Sequence, residues 1–140
     1  MKQQIILDNF GTLQLFLEGQ DYYWFGNVKN ISPDNKVELT INVDTRDKEL
    51  TTQTKLISDL AGRYDKLMTM LYGYIRDSFT KDNKTTDELK KMYFLTDVEL
   101  KKNNKDWWIV LEPMPDVETI YNHFLRFTVS DDSVTWSNFE

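Results

Sequence analysis

Six side chains in the last third of the chain carry groups suited to acid–base catalysis: Asp97, Glu99, Glu112, Asp116, Glu118 and His123. A glycosidase or nuclease needs two or three carboxylates held together, in environments that separate their pKa values. Asp97 and Glu99 alternate with Val98 and Leu100, which places them on the wet face of a strand, where solvated charges belong. His123 is the only histidine. A general base assisted by Asp116 or Glu118 would use it, but its position ahead of Leu125 and Phe127 favours a packed, hydrogen-bonded imidazole.

Other chemistries lack their residues. With no cysteine, a thiolate nucleophile, a disulfide and a thiolate metal site are all excluded. A Ser–His–Asp arrangement would have to use His123, and no G-x-S-x-G elbow is present. Zinc would find one ligand among His and Cys combined. The five glycines, at 11, 19, 26, 62 and 73, form no phosphate loop. Asp34-Asn35, Asp82-Asn83 and Asp131-Asp132 lack the spacing and terminal glutamate of calcium loops and read as turns. The expected set of catalytic, cofactor-binding and metal-binding residues is therefore empty.

The aromatic residues carry more signal. Tyr22-Tyr23-Trp24-Phe25 and Trp107-Trp108 place rings on both sides of their strands, so some rings must leave the covered face. Tyr22, Tyr23, Trp24, Trp107, Trp108 and His123 form a candidate binding surface, able to stack on a sugar or base or to anchor a protein interface. The alternative is a second small core beneath a loop around Pro113 to Tyr121. A second candidate is a helix stripe of Gly62, Lys66, Thr69 and Gly73. Two glycines within a helix, each costing about 0.8–1 kcal/mol relative to alanine, suit close approach by a partner chain or the protein's own terminus, or a merely solvated face.

These residues need elements to hold them. Ile57, Leu60, Tyr64, Leu67, Met68, Leu71, Ile75 and Phe79 recur at steps of three and four, which predicts one amphipathic helix from Thr51 to Phe79. Such a helix would run about 43 Å. Its start lies between Asp47 and Thr52. Thr85-Thr86-Asp87-Glu88 has capping-box spacing and opens a short helix to Met92 or Tyr93. Period-two alternation marks strands at Leu13–Leu17, Val37–Val43, Phe94–Lys102 and His123–Val129. Tyr22–Val28 adds another, with Gly26 a bulge or close-packing point. Val134–Ser137 closes a last hairpin. Trp107–Leu111, apolar on both sides, reads as a central strand covered on both faces. Ser32-Pro33-Asp34-Asn35, Asn103-Asn104 and Asp131-Asp132 supply turns. The fold class expected is α+β: a mostly antiparallel sheet of six to eight strands, a meander, then a long and a short helix, then hairpins, with the long helix on one face.

At 140 residues and 40% hydrophobic content the chain is expected to form a single domain, residues 1–140. The opening MKQQIILDNFG has an apolar run too short for a signal-peptide core, and no window is long and apolar enough to span a membrane. A cytoplasmic location follows as the expectation. Seventeen basic against 23 acidic side chains give a net charge of −6, which disfavours nucleic acid and suits a basic protein partner or simple solubility.

The order of elements, with His123 leading into Leu125-x-Phe127-x-Val129 and a polar turn at Asp131-Asp132-Ser133, resembles a loose group of small bacterial domains of unknown function. Similar domains occur among immunity proteins of polymorphic toxin systems. Where such domains often carry an acidic-His-Gly step, this chain has Asn122-His123-Phe124, and no residue role is carried over. The negative charge, the surplus aromatics and the missing catalytic set lead to the expectation of a non-enzymatic protein-binding module; the resemblance implies its specific form, an immunity-type inhibitor covering a basic toxin. The alternatives are a small hydrolase or ligand-binding protein using the carboxylates, His123 and the aromatics in a pocket, and a structural homodimer.

Overall fold

The structure, a computed structural model, describes residues 3–46, 49–78 and 84–139. Eight strands form one sheet in sequence order: β1 (Gln4–Leu7), β2 (Gly11–Glu18), β3 (Asp21–Val28), β4 (Val37–Val43), β5 (Tyr93–Leu100), β6 (Trp107–Pro113), β7 (Leu125–Ser130) and β8 (Ser133–Ser137). Between β4 and β5 the chain forms α1 (Thr51–Gly62), α2 (Tyr64–Ser78) and α3 (Thr86–Met92). This is the α+β architecture expected, with an open sheet that does not close into a barrel.

Tight turns set the two meanders. Gly19, at φ 63°, opens the two-residue link between Glu18 and Asp21. Asp131 and Asp132 both take positive φ between the paired Ser130 and Ser133, as a two-residue hairpin of primed type requires. At the β5–β6 turn Asn104 is left-handed, and the Asn103 side-chain oxygen accepts from the amides of Lys105 and Asp106. Short polar side chains tolerate αL where β-branched ones do not.

The two halves join differently from a hairpin series. β4 and β5 pair in parallel, Leu39 opposite Val98 and Ile41 opposite Leu100, because the helices return the chain to the same end of the sheet. The turn at Ser32–Asn35 secures that seam. Asn35 donates to the Leu95 carbonyl at 2.8 Å, beside a register shift between Leu95 and Asp97.

The single long helix is not formed. Arg63 leaves helical geometry (φ −111°, ψ 24°) directly after Gly62, so α1 and α2 are separate segments. Glycine's low helix propensity makes this the place where the run breaks at least cost. The apolar stripe survives the break: Ile57, Leu60, Leu67, Leu71 and Ile75 are all buried. Phe79, and with it the expected helix end, lies outside the described residues. α1 opens at Thr51 from Leu50 without a side-chain cap, whereas α3 has the expected capping box between Thr85 and Glu88.

β1 was not anticipated, since four residues are too few to show alternation. It pairs with β2 from Gln4 opposite Gln14 to Leu7 opposite Gly11. The main core lies between sheet and helices, built from Leu13, Trp24, Leu39, Ile41, Val98, Ile109, Leu111 and Phe127 against the helical stripe. Ile120 and Tyr121 pack on this same core, so among the described residues the aromatics form no separate core beneath the loop after β6.

Candidate functional site

The pleat sends alternate residues to the face away from the helices, and the register lines them up across the sheet. One row runs Gln14, Phe25, Thr40, Glu99, Trp108, Thr128 and Trp136, from β2 to β8. A second runs Asn27, Glu38, Asp97, Val110 and Arg126. Phe16 opposite Tyr23, with Asn42 beyond, makes a third. Most of these side chains are half-buried or exposed; no described helix packs over them. The expectation that β6 is covered on both faces is therefore corrected. Trp108 on that side is only half-buried, although Val110 is buried.

Rings and charges on this face are held in fixed arrangements. Phe16 stacks on Tyr23 at 5.4 Å and meets Phe25 edge-on at 6.2 Å. Trp108 and Trp136 stack at 5.5 Å across the intervening Thr128. Lys101 Nζ lies 5.4 Å from the Trp108 ring centre and 2.7 Å from Glu99 Oε2. Asn42 Nδ2 donates to the same Glu99 oxygen at 3.1 Å and to the Leu100 carbonyl at 3.0 Å. Glu99 is thus clamped between two donors, Asn42 from within β4 and Lys101 directly after β5.

The second row is electrostatically strained. Partial burial pushes the Glu38 carboxyl up from its ordinary value, the negative charges of Asp97 and Glu112 add to the rise, and hydrogen bonding with Asp97 contributes the rest. Glu38 and Asp97 face each other only because β4 and β5 are parallel. A carboxyl whose ionisation is hindered by its neighbours is one requirement for acid–base chemistry. The imidazole is not with them. His123 is exposed ahead of β7, its Nδ1 2.9 Å from the Phe124 carbonyl oxygen and its ring 5.8 Å from that of Tyr121. The expectation of a packed imidazole in strand register with Leu125 and Phe127 is corrected accordingly. Asp116 and Glu118 are exposed on the loop after β6, away from the regular strand rows.

The six residues read as a binding surface do not form one. Tyr23 and Trp108 reach the open face, whereas Tyr22, Trp24 and Trp107 turn to the helix side. Trp24 is fully buried and Trp107 is 7% exposed, so both are core residues. Phe16, Phe25, Trp136 and Glu38 complete the face and were not singled out from the sequence. Parity along β3 would have found Phe25, which shares a side with Tyr23. Glu38 required knowledge of the parallel seam.

Among the described residues, no backbone closes on the glycines of the helix stripe. A Cβ on Gly62 would find no heavy atom within 4 Å, and one on Gly73 only Arg76 Nη2 at 3.8 Å, while Lys66 and Thr69 are exposed. Among the described residues the stripe is an open face. Gly73→Ala, inside α2, is expected to raise stability by about 0.5–1 kcal/mol through helix propensity alone. Urea denaturation of the variant against the parent measures it.

Comparisons with protein-family models, with curated proteins and with solved structures gave no match. Among the described residues no helix is long and apolar enough to cross a membrane.

Proposed function

We propose that the chain is a non-enzymatic protein-binding module that engages a basic protein surface through the open face of its sheet. An immunity-type inhibitor of a bacterial toxin is the specific form we favour. The observation that carries this reading is a pair of adjacent rows on the face that no described helix covers, with Phe25, Trp108 and Trp136 in one and Glu38 and Asp97 in the next. Half-exposed rings supply anchor contacts, and the Glu38 and Asp97 carboxylates supply charge complementarity, which raises on-rate and excludes wrong partners. The net charge of −6 adds long-range attraction for a basic surface. The rival reading, a small hydrolase or pocket-binding protein, needs His123 beside the carboxylates, and the imidazole lies instead against Tyr121.

The test is capture from the native host with the parent, with a Trp108→Ala/Trp136→Ala variant and with Gly73→Ala. Loss of two stacked anchors is expected to weaken binding by roughly 2–4 kcal/mol, abolishing recovery, while Gly73→Ala recovers the partner unchanged. Equal recovery by all three would remove the sheet face from the account.

Proton linkage gives a second signature. Folding raises the Glu38 pKa, so this carboxyl favours the folded state below its unfolded value and loses that contribution as pH rises through its folded value. A cation docking beside Glu38 lowers that pKa again. Binding at mildly acidic pH is therefore expected to release protons, and release should vanish in Glu38→Gln. Calorimetry in buffers of different ionisation heat reads the difference.

A further inference from the structure

On the helix side, a cavity of about 600 Å³ opens between α2, α3, the Ser32–Asn35 turn and the ends of β5 and β6. Its inner wall includes Tyr72, Tyr93 and Met68, all buried, with the half-buried Tyr64 and Phe94. Its mouth carries exposed Asp34, Asp65 and Asp87 against a single ammonium, Lys90. None of the three aspartates is in an ion pair among the described residues, whereas Asp21, Asp44, Asp131 and Asp132 each meet a lysine or arginine. A neighbouring cavity of about 310 Å³ under the α1–α2 break has its acids neutralised in that way, Asp132 by Arg63 at 2.6 Å and Asp131 by Lys105 at 3.4 Å.

The cavity's interior resists further negative charge. Burial raises the Tyr72 hydroxyl well above its ordinary value, with Tyr64 and Asp34 adding to the rise. The Tyr64 hydroxyl is raised by burial too, offset in part by its bond with Ser32, and Asp34 and Asp65 push it further. Among the described residues, no group of three His, Cys, Asp or Glu side chains is placed to hold a metal ion. Spread carboxylates around π faces and thioethers suit a larger, softer cation, which gains from ring quadrupoles as well as from charge.

We propose that this cavity is a second binding site, independent of the sheet face, which takes a small organic cation: an ammonium or guanidinium group on a short apolar body. The full chain is titrated with tetramethylammonium chloride and with agmatine, followed by amide and tyrosine ring resonances, against sodium chloride and magnesium chloride at matched ionic strength. The expected result is a saturable response at Tyr64, Tyr72 and Phe94 for at least one organic cation and no matching response to the salts. Asp34→Asn/Asp65→Asn/Asp87→Asn, all at the exposed mouth, should weaken binding by about tenfold or more. Trp108→Ala/Trp136→Ala should leave it unchanged, so the two sites succeed or fail separately. No saturable response to either cation, an equal response to magnesium, or undiminished affinity in the triple variant would overturn the proposal.

Discussion

Alanine at Gly26 is expected to cost the fold about 3 kcal/mol, at the upper end of the usual penalty for overpacking. A Cβ there would stand 2.3 Å from the Thr12 carbonyl oxygen and 2.7 Å from Leu13 Cδ2. Real Cβ atoms do not approach that closely, so something must move. The Leu13 side chain is fully buried and has little room to move. The Thr12 carbonyl belongs to the backbone of β2, which is paired to β1 at the same residue, Ile6 opposite Thr12. Relief therefore displaces two strands, and the flanking Trp24 and Val28, both fully buried on the same side, lose their fit. Urea denaturation should show the midpoint falling steeply with the m-value retained. A loss below about 1 kcal/mol would mean that the close approach of β2 to β3 is relaxed in solution.

Truncating Phe127 to alanine is expected to cost about 3–5 kcal/mol, the usual range for a fully buried phenylalanine. Phe127 meets Tyr74 of α2 edge-on at 6.1 Å and Phe139 of the C-terminal segment at 5.4 Å. Tyr74 and Phe139 meet each other at 5.9 Å, and Tyr121 lies 5.0 Å from Phe139. One ring on β7 therefore holds a helix, the loop before β7 and the end of the chain together. Edge-to-face pairs add to area burial, so neighbours should lose part of their own fixation. The near-ultraviolet circular dichroism band should fall further than the backbone signal. Phe127→Leu, which keeps most of the volume, should retain most of the stability.

The fold was legible wherever a pattern is local. Val37–Val43 alternates without a fault and is β4 to the residue. Thr85 and Glu88 declare α3 through two reciprocal hydrogen bonds. Periodicity predicts one long helix because it reports only which side faces the core, and α1 and α2 keep that side across the break at Arg63. A one-residue departure barely disturbs a three-and-four rhythm. The parallel pairing of β4 with β5 was illegible, since it depends on where three helices set the chain down rather than on any residue in either strand.

The candidate site followed the same division. The tandem Trp107-Trp108 shows that two rings must part to opposite faces, but not which ring meets the helices. The row from Gln14 to Trp136 comes into being only when seven strands are laid side by side in register. Glu38 and Asp97, 59 positions apart in number, had no sequence relation at all.

The four tryptophans provide the most direct test of the open face as the place where a partner binds. Trp24 and Trp107 lie under the helices, while Trp108 is half-buried and Trp136 is 48% exposed on the other side. Their indole N–H resonances, assigned by single substitution, should divide when a partner obtained from the native host is added: Trp108 and Trp136 shift or broaden, and Trp24 and Trp107 hold their places. Movement of Trp107 and Trp24 with Trp108 and Trp136 unmoved would put the contact on the helical side and contradict the account.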